Sequence, residues 1–332
     1  MEKPTVGLLT QLPQRSFEAE LEEHAKVVRG GKLTDEDISD VLREADGVIT
    51  GGSGRLSAQR LEAANKLRVI VVVGSGTDCV DIEAASRLGI PVISGRGVAP
   101  RAIAEYCLGA MVVAHSRLFQ LQDLTLTGEL RWPERLELTR RTELTGSTLG
   151  IIGFGFVGRL LAQLASAAFD VRVLAFDPYI SPDAKSGPAS MVDLYTVLAE
   201  SLTVSVHAPL NSETRGLIGA RELDLIGPEG VLINVARGGV VDESALLESL
   251  RSGGIKGAVV DVFDPEPPQR DRLAEFAALS NVLITPHCAG STDLAHEAVS
   301  KAAVESVLGV LRGEEPTRLV NPEVREMPPS EL

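Results

Sequence analysis

The sequence predicts an α/β protein with two domains, one inserted into the other. Strand-like and helix-like segments alternate along its 332 residues, a length that suits two domains better than one. Strand segments such as "LRVIVVV" are apolar without alternation, as in parallel sheets covered on both faces. A second strand–helix series starts at "TLGIIGFGFVG", after the first has finished, so we expect it to form the inserted domain.

In the first series, strand segments alternate with helix segments, as is typical of a parallel sheet. "TVGLLT" and "GVIT" read as strands on either side of the helix "LTDEDISDVLREA", which has Thr34 as N-cap and Glu36 and Asp37 in its first turn. A helix over about 57–66 leads to the strand "LRVIVVV". After it come the segment "GSGTDCVD", the helix "IEAASRLG" and the strand "IPVIS".

One long helix is predicted over about 100–121, and a closing helix over about 294–312. The middle of the first is apolar nearly all round, so we expect it to be buried between layers or against a partner subunit. The polar stretch 127–147 shows no period and is long for an internal loop, which is typical of a functional or subunit-contact segment.

Composition narrows the class of protein. A net charge of −14 disfavours binding to nucleic acid or to an anionic membrane. No apolar run is long enough to span a bilayer, and the first residues lack a signal-peptide layout. Cys79, Cys107 and Cys288 are scattered without metal-ligand spacing, so we expect reduced thiols in a cytoplasmic protein and no metal site.

The second series begins with a glycine motif. Gly153, Gly155 and Gly158 have the spacing GxGxxG between a strand over 149–152 and a helix over 159–168. The first glycine permits a tight turn, the second a close approach to a pyrophosphate, and the third close helix packing. The helix N-terminus offers free N–H groups to the anion. A strand–helix turn without a ligand is the alternative, and the context favours a dinucleotide.

Asp177 ends the next strand, "VRVLAFD", about 20 residues beyond Gly158, which is the usual place for a ribose-binding carboxylate. This charge would repel a 2′-phosphate, so the sequence predicts NAD rather than NADP.

Three polar residues follow three other strand segments. Arg237 follows "GVLINVA", Glu266 follows "GAVVDVFDP" and His287 follows "NVLITP", so all three should face one crevice at the carboxyl ends of the strands. Arg237 can bind a substrate carboxylate, His287 can exchange a proton with the neighbouring oxygen, and Glu266 can orient the imidazole. Beside a nicotinamide, this set predicts hydride transfer at C2 of a 2-hydroxy acid.

Each residue also has a structural alternative, such as a loop ion pair for Arg237 or a solvated turn for Glu266. His207, at the end of "VSVH", is a rival base that better suits the lining of the cofactor site. The remaining histidines lie on helical patterns and are expected to be structural: His24, His115 and His296.

The motifs "GIIGFGFVGR", "VHAPLNSETRGLIG", "NVARGGVVDESALLESLRSG", "DVFDPEPP" and "PHCAGST" together resemble the D-isomer-specific 2-hydroxyacid dehydrogenase family. The nearest likeness is to phosphoglycerate dehydrogenases and hydroxypyruvate or glyoxylate reductases. The resemblance implies a flavodoxin-like substrate domain, residues 1–99 and 293–332, with an inserted Rossmann dinucleotide-binding domain, residues 100–292. It also implies an active site in the cleft between them and a homodimer formed through the long helix and the following loop.

The resemblance assigns residues to the site. Arg237, Glu266 and His287 take the family's catalytic positions. The cofactor positions are Gly153, Gly155, Phe156, Val157, Gly158, Asp177, His207, Ala208, Pro209, Thr214, Val235, Ala236, Asp261 and Gly290, with Asp261 where the family contacts the nicotinamide carboxamide. The substrate carboxylate would meet the backbone of Val73, Gly74, Ser75 and Gly76, together with Arg237 and His287.

Departures from the family pattern bear on the substrate. Cys79 stands where an asparagine is common, and Gly51 and Val72 stand where phosphoglycerate-specific members tend to have arginines. The sequence therefore favours a small unphosphorylated acid of the hydroxypyruvate or glyoxylate kind. A 3-phosphoglycerate dehydrogenase that uses Arg55 or Arg96 remains an alternative.

Two further alternatives come from related proteins. An NAD(H)-sensing binding protein that resembles corepressors would carry a peptide groove or a long disordered tail, and the tail here is short. A formate-type dehydrogenase is disfavoured because Glu266 stands where such enzymes use an amide.

Overall fold

The protein is described from a computed structural model over residues 2–52, 54–128 and 139–326. It divides into two compact units, the first comprising Met1–Ala99 and Thr292–Leu332 and the second Pro100–Ser291. Each unit contains one parallel sheet with apolar clusters on both faces. The predicted α/β fold class is confirmed.

In the described part of the first unit, the sheet has five parallel strands in the order β2-β1-β3-β4-β5, which is the flavodoxin-like order. The strands are β1 Thr5–Leu8, β2 Lys26–Arg29, β3 Gly47–Thr50, β4 Val69–Val72 and β5 Val92–Ser94. The helices are α1 Ser16–His24, α2 Asp35–Glu44, α3 Ala58–Glu62, α4 Ile82–Arg87 and, from the end of the chain, α12 Asp293–Leu311.

The predicted cap of α2 is confirmed. The Thr34 hydroxyl accepts a hydrogen bond from the Asp37 N–H at 3.2 Å, and the Asp37 carboxylate accepts one from the Thr34 N–H at 3.1 Å. This reciprocal pair satisfies two N–H groups that the first helical turn leaves unpaired.

Helix α3 is shorter than the predicted helix over 57–66. It ends at Glu62, and the backbone then makes two i to i+3 turns, from Ala64 to Leu61 and from Leu67 to Ala64. Because these turns bury Ala64 and Leu67 in the core, packing decides where the helix stops.

Among its described residues, the second unit has seven parallel strands in the order β12-β11-β10-β9-β6-β7-β8. Its first six follow the Rossmann order 3-2-1-4-5-6, and β12 extends the β11 edge. The strands are β6 Thr148–Ile152, β7 Arg172–Phe176, β8 Ala189–Met191, β9 Thr203–Val206, β10 Val231–Asn234, β11 Gly257–Val260 and β12 Val282–Ile284. The helices are α5 Pro100–Ser116, α6 Leu118–Thr127, α7 Phe156–Phe169, α8 Leu194–Glu200, α9 Ala220–Ile226, α10 Glu243–Ser252 and α11 Arg270–Ala277.

The single long helix predicted over 100–121 is wrong, because the chain breaks it at Arg117. This residue adopts a left-handed backbone with φ 52°, and its N–H bonds the Ala114 carbonyl three residues back. A left-handed residue redirects the chain and ends an α-helix. Helix α5 is nevertheless buried along one side, through residues that include Cys107 and Met111.

In the sequence, residues 282–285 read as a short buried strand, and strand β12 differs from that prediction. It comprises Val282–Ile284, all half-buried, since it lies at the edge of the sheet and pairs with β11.

Part of the predicted subunit-contact stretch, residues 129–138, lies outside the described residues, as does the polar tail 327–332. Within the described part of the chain, none of the helices is both long enough and apolar enough to span a bilayer.

Candidate active site

The glycine motif forms the turn between β6 and α7. Gly153 has φ 90°, in the region that favours glycine, and a Cβ there would lie 2.6 Å from the Ala208 backbone nitrogen. A Cβ on Gly158 would lie 2.5 Å from the Gly153 carbonyl oxygen, whereas one on Gly155 would meet nothing within 4 Å. Two glycines thus allow close backbone packing, and the third leaves open space at the start of α7, where a pyrophosphate would fit.

The middle of this motif also faces open space. Phe156 begins α7 and is 56% exposed. Val157 follows it in the first turn of the helix. The prediction that Phe156 and Val157 contact the cofactor stays a prediction.

Asp177 lies directly after β7 and is held by neighbouring backbone. Its Oδ2 accepts a hydrogen bond from the Phe154 N–H at 2.9 Å, and its Oδ1 accepts one from the Tyr179 N–H at 3.1 Å. The carboxylate is therefore fixed beside the glycine turn, and its contact with the ribose stays a prediction. Each oxygen keeps capacity for a further donor.

The stretch after β9 contains the rival histidine. His207 Nε2 lies 2.9 Å from the Ser205 hydroxyl, and burial lowers the pKa of His207 to about 4. The imidazole of His207 is neutral near pH 7. The backbone N–H of His207 donates to the Ile152 carbonyl of β6. The surroundings favour a role in lining the glycine turn over a role as base.

The rest of this stretch is a compact turn. The Thr214 hydroxyl donates to the Pro209 carbonyl oxygen at 2.5 Å and accepts from the Asn211 N–H at 2.9 Å. Ala208 is buried against Gly153. Thr214 thus shapes the loop beside the glycine turn.

Three adjacent strands place the predicted catalytic residues at one end of the sheet. Asn234 of β10 is in register with Val260 of β11, and Val260 with Ile284 of β12. Arg237 follows the first strand by three residues, and His287 follows the third by three. The strand register therefore brings these turns to the same edge.

His287 and Glu266 form a direct pair. His287 Nδ1 lies 2.9 Å from Glu266 Oε1 and 2.8 Å from Oε2. The pair is open to solvent, with the His287 side chain 46% and the Glu266 side chain 36% exposed. The geometry leaves Nε2 available to a substrate and uses Nδ1 to fix the ring, as a histidine acid/base requires.

The Arg237 turn is held by Asn234. The Asn234 amide nitrogen donates to the Arg237 carbonyl at 3.0 Å, and its Oδ1 accepts from the Ala236 N–H at 3.1 Å. A Cβ on Gly238 would lie 2.0 Å from the Phe263 carbonyl carbon. Only glycine permits this approach, which packs the Arg237 turn against the segment that leads to Glu266.

Val235 is buried and Ala236 is half-buried in the same turn. Gly290 lies beyond His287, and a Cβ there would lie 3.6 Å from the side chain of Ile103 on α5. Their predicted contacts with the nicotinamide stay predictions.

Asp261 has a structural role that the sequence did not predict. The residue is fully buried, and its carboxylate accepts hydrogen bonds from the Thr285 hydroxyl at 2.6 Å, the Cys288 N–H at 2.8 Å and the Ala289 N–H at 2.9 Å. Its carbonyl accepts from the His287 N–H at 2.8 Å. Asp261 thus organises the turn that carries the histidine, while its contact with a nicotinamide carboxamide stays a prediction.

The predicted substrate loop, Val73–Gly76, belongs to the first unit. The Val73 N–H bonds the Thr50 carbonyl at 2.9 Å, and Gly74 has φ 94°. The Gly95 N–H donates to the Gly74 carbonyl at 2.6 Å. Gly95 therefore supports the loop, and Arg96 follows directly in the chain.

The helical histidine His115 is structural, as predicted from its pattern. It is fully buried on α5 with Nε2 2.8 Å from the Thr203 hydroxyl. Burial, and then the charge of Lys256, lower the pKa of His115 to about 4.

Sequence reasoning missed Tyr106 and Thr285. The Tyr106 hydroxyl on α5 lies 2.6 Å from the Thr285 hydroxyl, which in turn donates to Asp261. A tyrosine in an apolar helix gives no signal of its own, because its hydroxyl partner is 179 residues distant.

Comparison with known proteins identifies the class. A family model described as "D-isomer specific 2-hydroxyacid dehydrogenase, NAD binding domain" matches residues 108–289. The chain is 33% identical to a glyoxylate reductase of Thermococcus litoralis, over 97% of the chain and 98% of that protein. It is 34% identical to a D-3-phosphoglycerate dehydrogenase of Methanocaldococcus jannaschii, over 91% of the chain but 56% of that longer protein.

A solved structure agrees with these relatives. The crystal structure of a Pyrococcus horikoshii protein matches with a TM-score of 0.85 and 30% identity, over 98% of both chains. The protein belongs to the D-isomer-specific 2-hydroxyacid dehydrogenase family. Membership confirms the predicted resemblance, NAD as the cofactor, and oxidoreduction of D-2-hydroxy acids as the class of reaction.

Proposed function

We propose that this protein interconverts a small, unphosphorylated D-2-hydroxy acid and its 2-oxo acid, of the glyoxylate or hydroxypyruvate kind. The observation that carries the proposal is the His287–Glu266 pair, with 2.8 Å between Nδ1 and Oε2, at the strand ends that also carry Arg237. A proton-exchanging imidazole and a carboxylate-binding guanidinium at one edge fit this substrate class.

Each residue has a defined task in this mechanism. Arg237 holds the substrate carboxylate and polarises the neighbouring carbonyl, and Glu266 holds the imidazole through Nδ1. His287 gives its Nε2 proton to the substrate oxygen during reduction and takes it back during oxidation. NAD, which the glycine turn and Asp177 would hold, would supply or accept the hydride at C2 when bound.

The preference for an unphosphorylated acid rests on the first unit. Gly51 and Val72 take the places of anchoring arginines, and both are buried in this structure. The similarity to glyoxylate reductase over nearly the full length of both chains supports the same choice. The alternative, a phosphorylated substrate, is favoured by Arg96, which follows the glycine that supports the Val73–Gly76 loop.

The test is NADH oxidation by the purified protein with glyoxylate, hydroxypyruvate, pyruvate, a branched 2-oxo acid and 3-phosphohydroxypyruvate. We expect the highest kcat/KM with glyoxylate or hydroxypyruvate. A clear preference for the phosphorylated acid would replace the proposal with the alternative. Bound NADH without turnover of any acid would favour a sensing protein over an enzyme.

Replacing Asp177 by serine is expected to reduce the preference for NADH over NADPH by about 10-fold to 100-fold, because a charge that repels the 2′-phosphate is removed. Serine keeps one acceptor for the Phe154 N–H, so the glycine turn should persist. The measurement is kcat/KM for both cofactors with a single 2-oxo acid, with Asp183→Ser, on an exposed loop beyond β7, as control. An unchanged ratio would contradict the contact with the ribose.

We further propose a homodimer formed through α5, α6 and the following stretch, since Val112, Leu118 and Leu126 expose apolar side chains there. Sedimentation equilibrium would test it. A cytoplasmic location is proposed because Cys107 and Cys288, in the described part of the chain, carry free thiols, and a disulfide in the isolated native protein would contradict it.

A further inference from the structure

Tyr106 connects helix α5 to the turn that carries His287. Its hydroxyl is 2.6 Å from the Thr285 hydroxyl, which lies two residues before the histidine. The ring is half-buried, and the residue after it, Cys107, is fully buried in the core under the sheet. A rigid helix thus places a phenol beside a short turn.

The donor can be assigned in each of the two hydrogen bonds that link Tyr106, Thr285 and Asp261. A threonine hydroxyl has a single proton, and the Thr285 hydroxyl donates that proton to Asp261 Oδ1 at 2.6 Å. The Tyr106 O–H must therefore be the donor to Thr285. Burial raises the pKa of Tyr106 to about 12, so the phenol keeps its proton throughout the neutral range.

This chain of hydrogen bonds, from Tyr106 through Thr285 to Asp261, ends at the backbone of the turn that carries His287. Asp261 accepts from the N–H groups of Cys288 and Ala289 through its carboxylate, and from the N–H of His287 through its carbonyl. His287 itself has φ 52°, a left-handed conformation that a non-glycine residue adopts only when its surroundings hold it.

We propose that Tyr106 is a positioning residue for His287, acting through Thr285 and Asp261. The phenol orients the Thr285 hydroxyl toward the Asp261 carboxylate, which is then aligned to hold the amides of Cys288 and Ala289, while the Asp261 carbonyl holds the amide of His287. Fixed in this way, the imidazole meets Glu266 and the substrate oxygen in one geometry. The inference rests on the proposed role of His287 as the acid/base.

The substitution Tyr106→Phe removes the phenol oxygen and keeps the ring. We expect kcat to fall by about 10-fold, because small displacements of a catalytic group have large effects on rate. KM for the 2-oxo acid and the affinity for NADH should change less than about twofold, since Tyr106 contacts neither in the proposed mechanism. Tyr195→Phe, at an exposed tyrosine of the same unit, is the matched control and should leave kcat unchanged.

Two variants at Thr285 separate positioning from simple packing. Thr285→Ser keeps the hydroxyl and should retain most of the kcat, whereas Thr285→Val removes it and should lower kcat at least as much as Tyr106→Phe. Both substitutions interrupt the same chain of hydrogen bonds. The kcat of the double variant Tyr106→Phe/Thr285→Val should therefore be no lower than that of Thr285→Val alone. Additive losses would overturn the proposal.

Amide hydrogen exchange at 287–289 gives a readout that does not depend on turnover. In Tyr106→Phe these amides should exchange faster while the amides of β6 and β9 keep their rates. Unchanged exchange, or faster exchange with an unchanged kcat, would overturn the role of Tyr106. Wild-type protein that turns over none of the 2-oxo acids would instead refute the proposed function, while the exchange result would still decide whether Tyr106 holds the turn.

Discussion

Replacing His287 by alanine should lower kcat by about 100-fold to 10,000-fold, the usual contribution of a positioned acid or base. The imidazole is the group that can exchange a proton with the substrate oxygen, and alanine leaves Glu266 without its partner. NADH binding should persist, because the glycine turn and Asp177 lie on other strands. Steady-state kinetics with glyoxylate or hydroxypyruvate and NADH fluorescence titration measure the two effects.

Three other variants make this result specific. His24→Ala, at an exposed residue of the first unit, should leave kcat unchanged. Glu266→Gln keeps an oxygen near Nδ1 but removes the charge, so its loss of kcat should be smaller than that of His287→Ala. If His207→Gln abolished turnover while His287→Ala did not, the role of acid/base would pass to His207.

Replacing Arg237 by alanine should lower kcat/KM by about 1,000-fold. Two hydrogen bonds from a guanidinium to a carboxylate contribute about 2 kcal/mol each, and tenfold in kcat/KM corresponds to about 1.4 kcal/mol. Arg237→Lys keeps the charge but loses the planar pair of donors, so an intermediate loss is expected. The measurement is kcat and KM for the same acid in each variant.

The control for this prediction is Arg221→Ala, at an exposed arginine on α9, which should not change kcat/KM. Thermal unfolding is needed beside the kinetics, because the Arg237 guanidinium also donates to the Ala236 carbonyl at 2.7 Å. A full loss of kcat/KM in a variant with an unchanged Tm supports substrate binding. An unchanged kcat/KM would leave Arg237 as a residue that only stabilises its turn.

The sequence predicted the parts of the fold that depend on strong local patterns. The cap at Thr34, the glycine turn and the apolar strands are local signals, and each led to an element that the structure contains. The sequence did not reveal helix α1 and strand β2, which lie between β1 and α2. The break at Arg117 was not predictable in this way, because neither glycine nor proline marks it. Strand β8, with three residues, is also too short to show a period.

For the candidate site, the sequence supplied the residue types and the structure supplied their connections. Strand ends in a parallel sheet share an edge, so Arg237, Glu266 and His287 could be grouped in advance. The hydrogen bonds that the Asp261 carboxylate accepts from the histidine turn could not be predicted, because they depend on which backbone amides turn back toward a buried carboxylate. The contact of Tyr106 depends on the packing of a helix against that turn.

The edge position of β12 has a consequence for how the protein should lose activity on heating. A strand of three half-buried residues with one neighbouring strand contributes little to the cooperative unfolding of the sheet. Detachment of this strand would carry Thr285 and His287 away from Asp261 while the central strands and the glycine turn stay folded. Inactivation should therefore begin as a local opening at temperatures below the main unfolding transition. Saturating cofactor alone should raise the temperature of that transition more than it raises the temperature at which activity is lost.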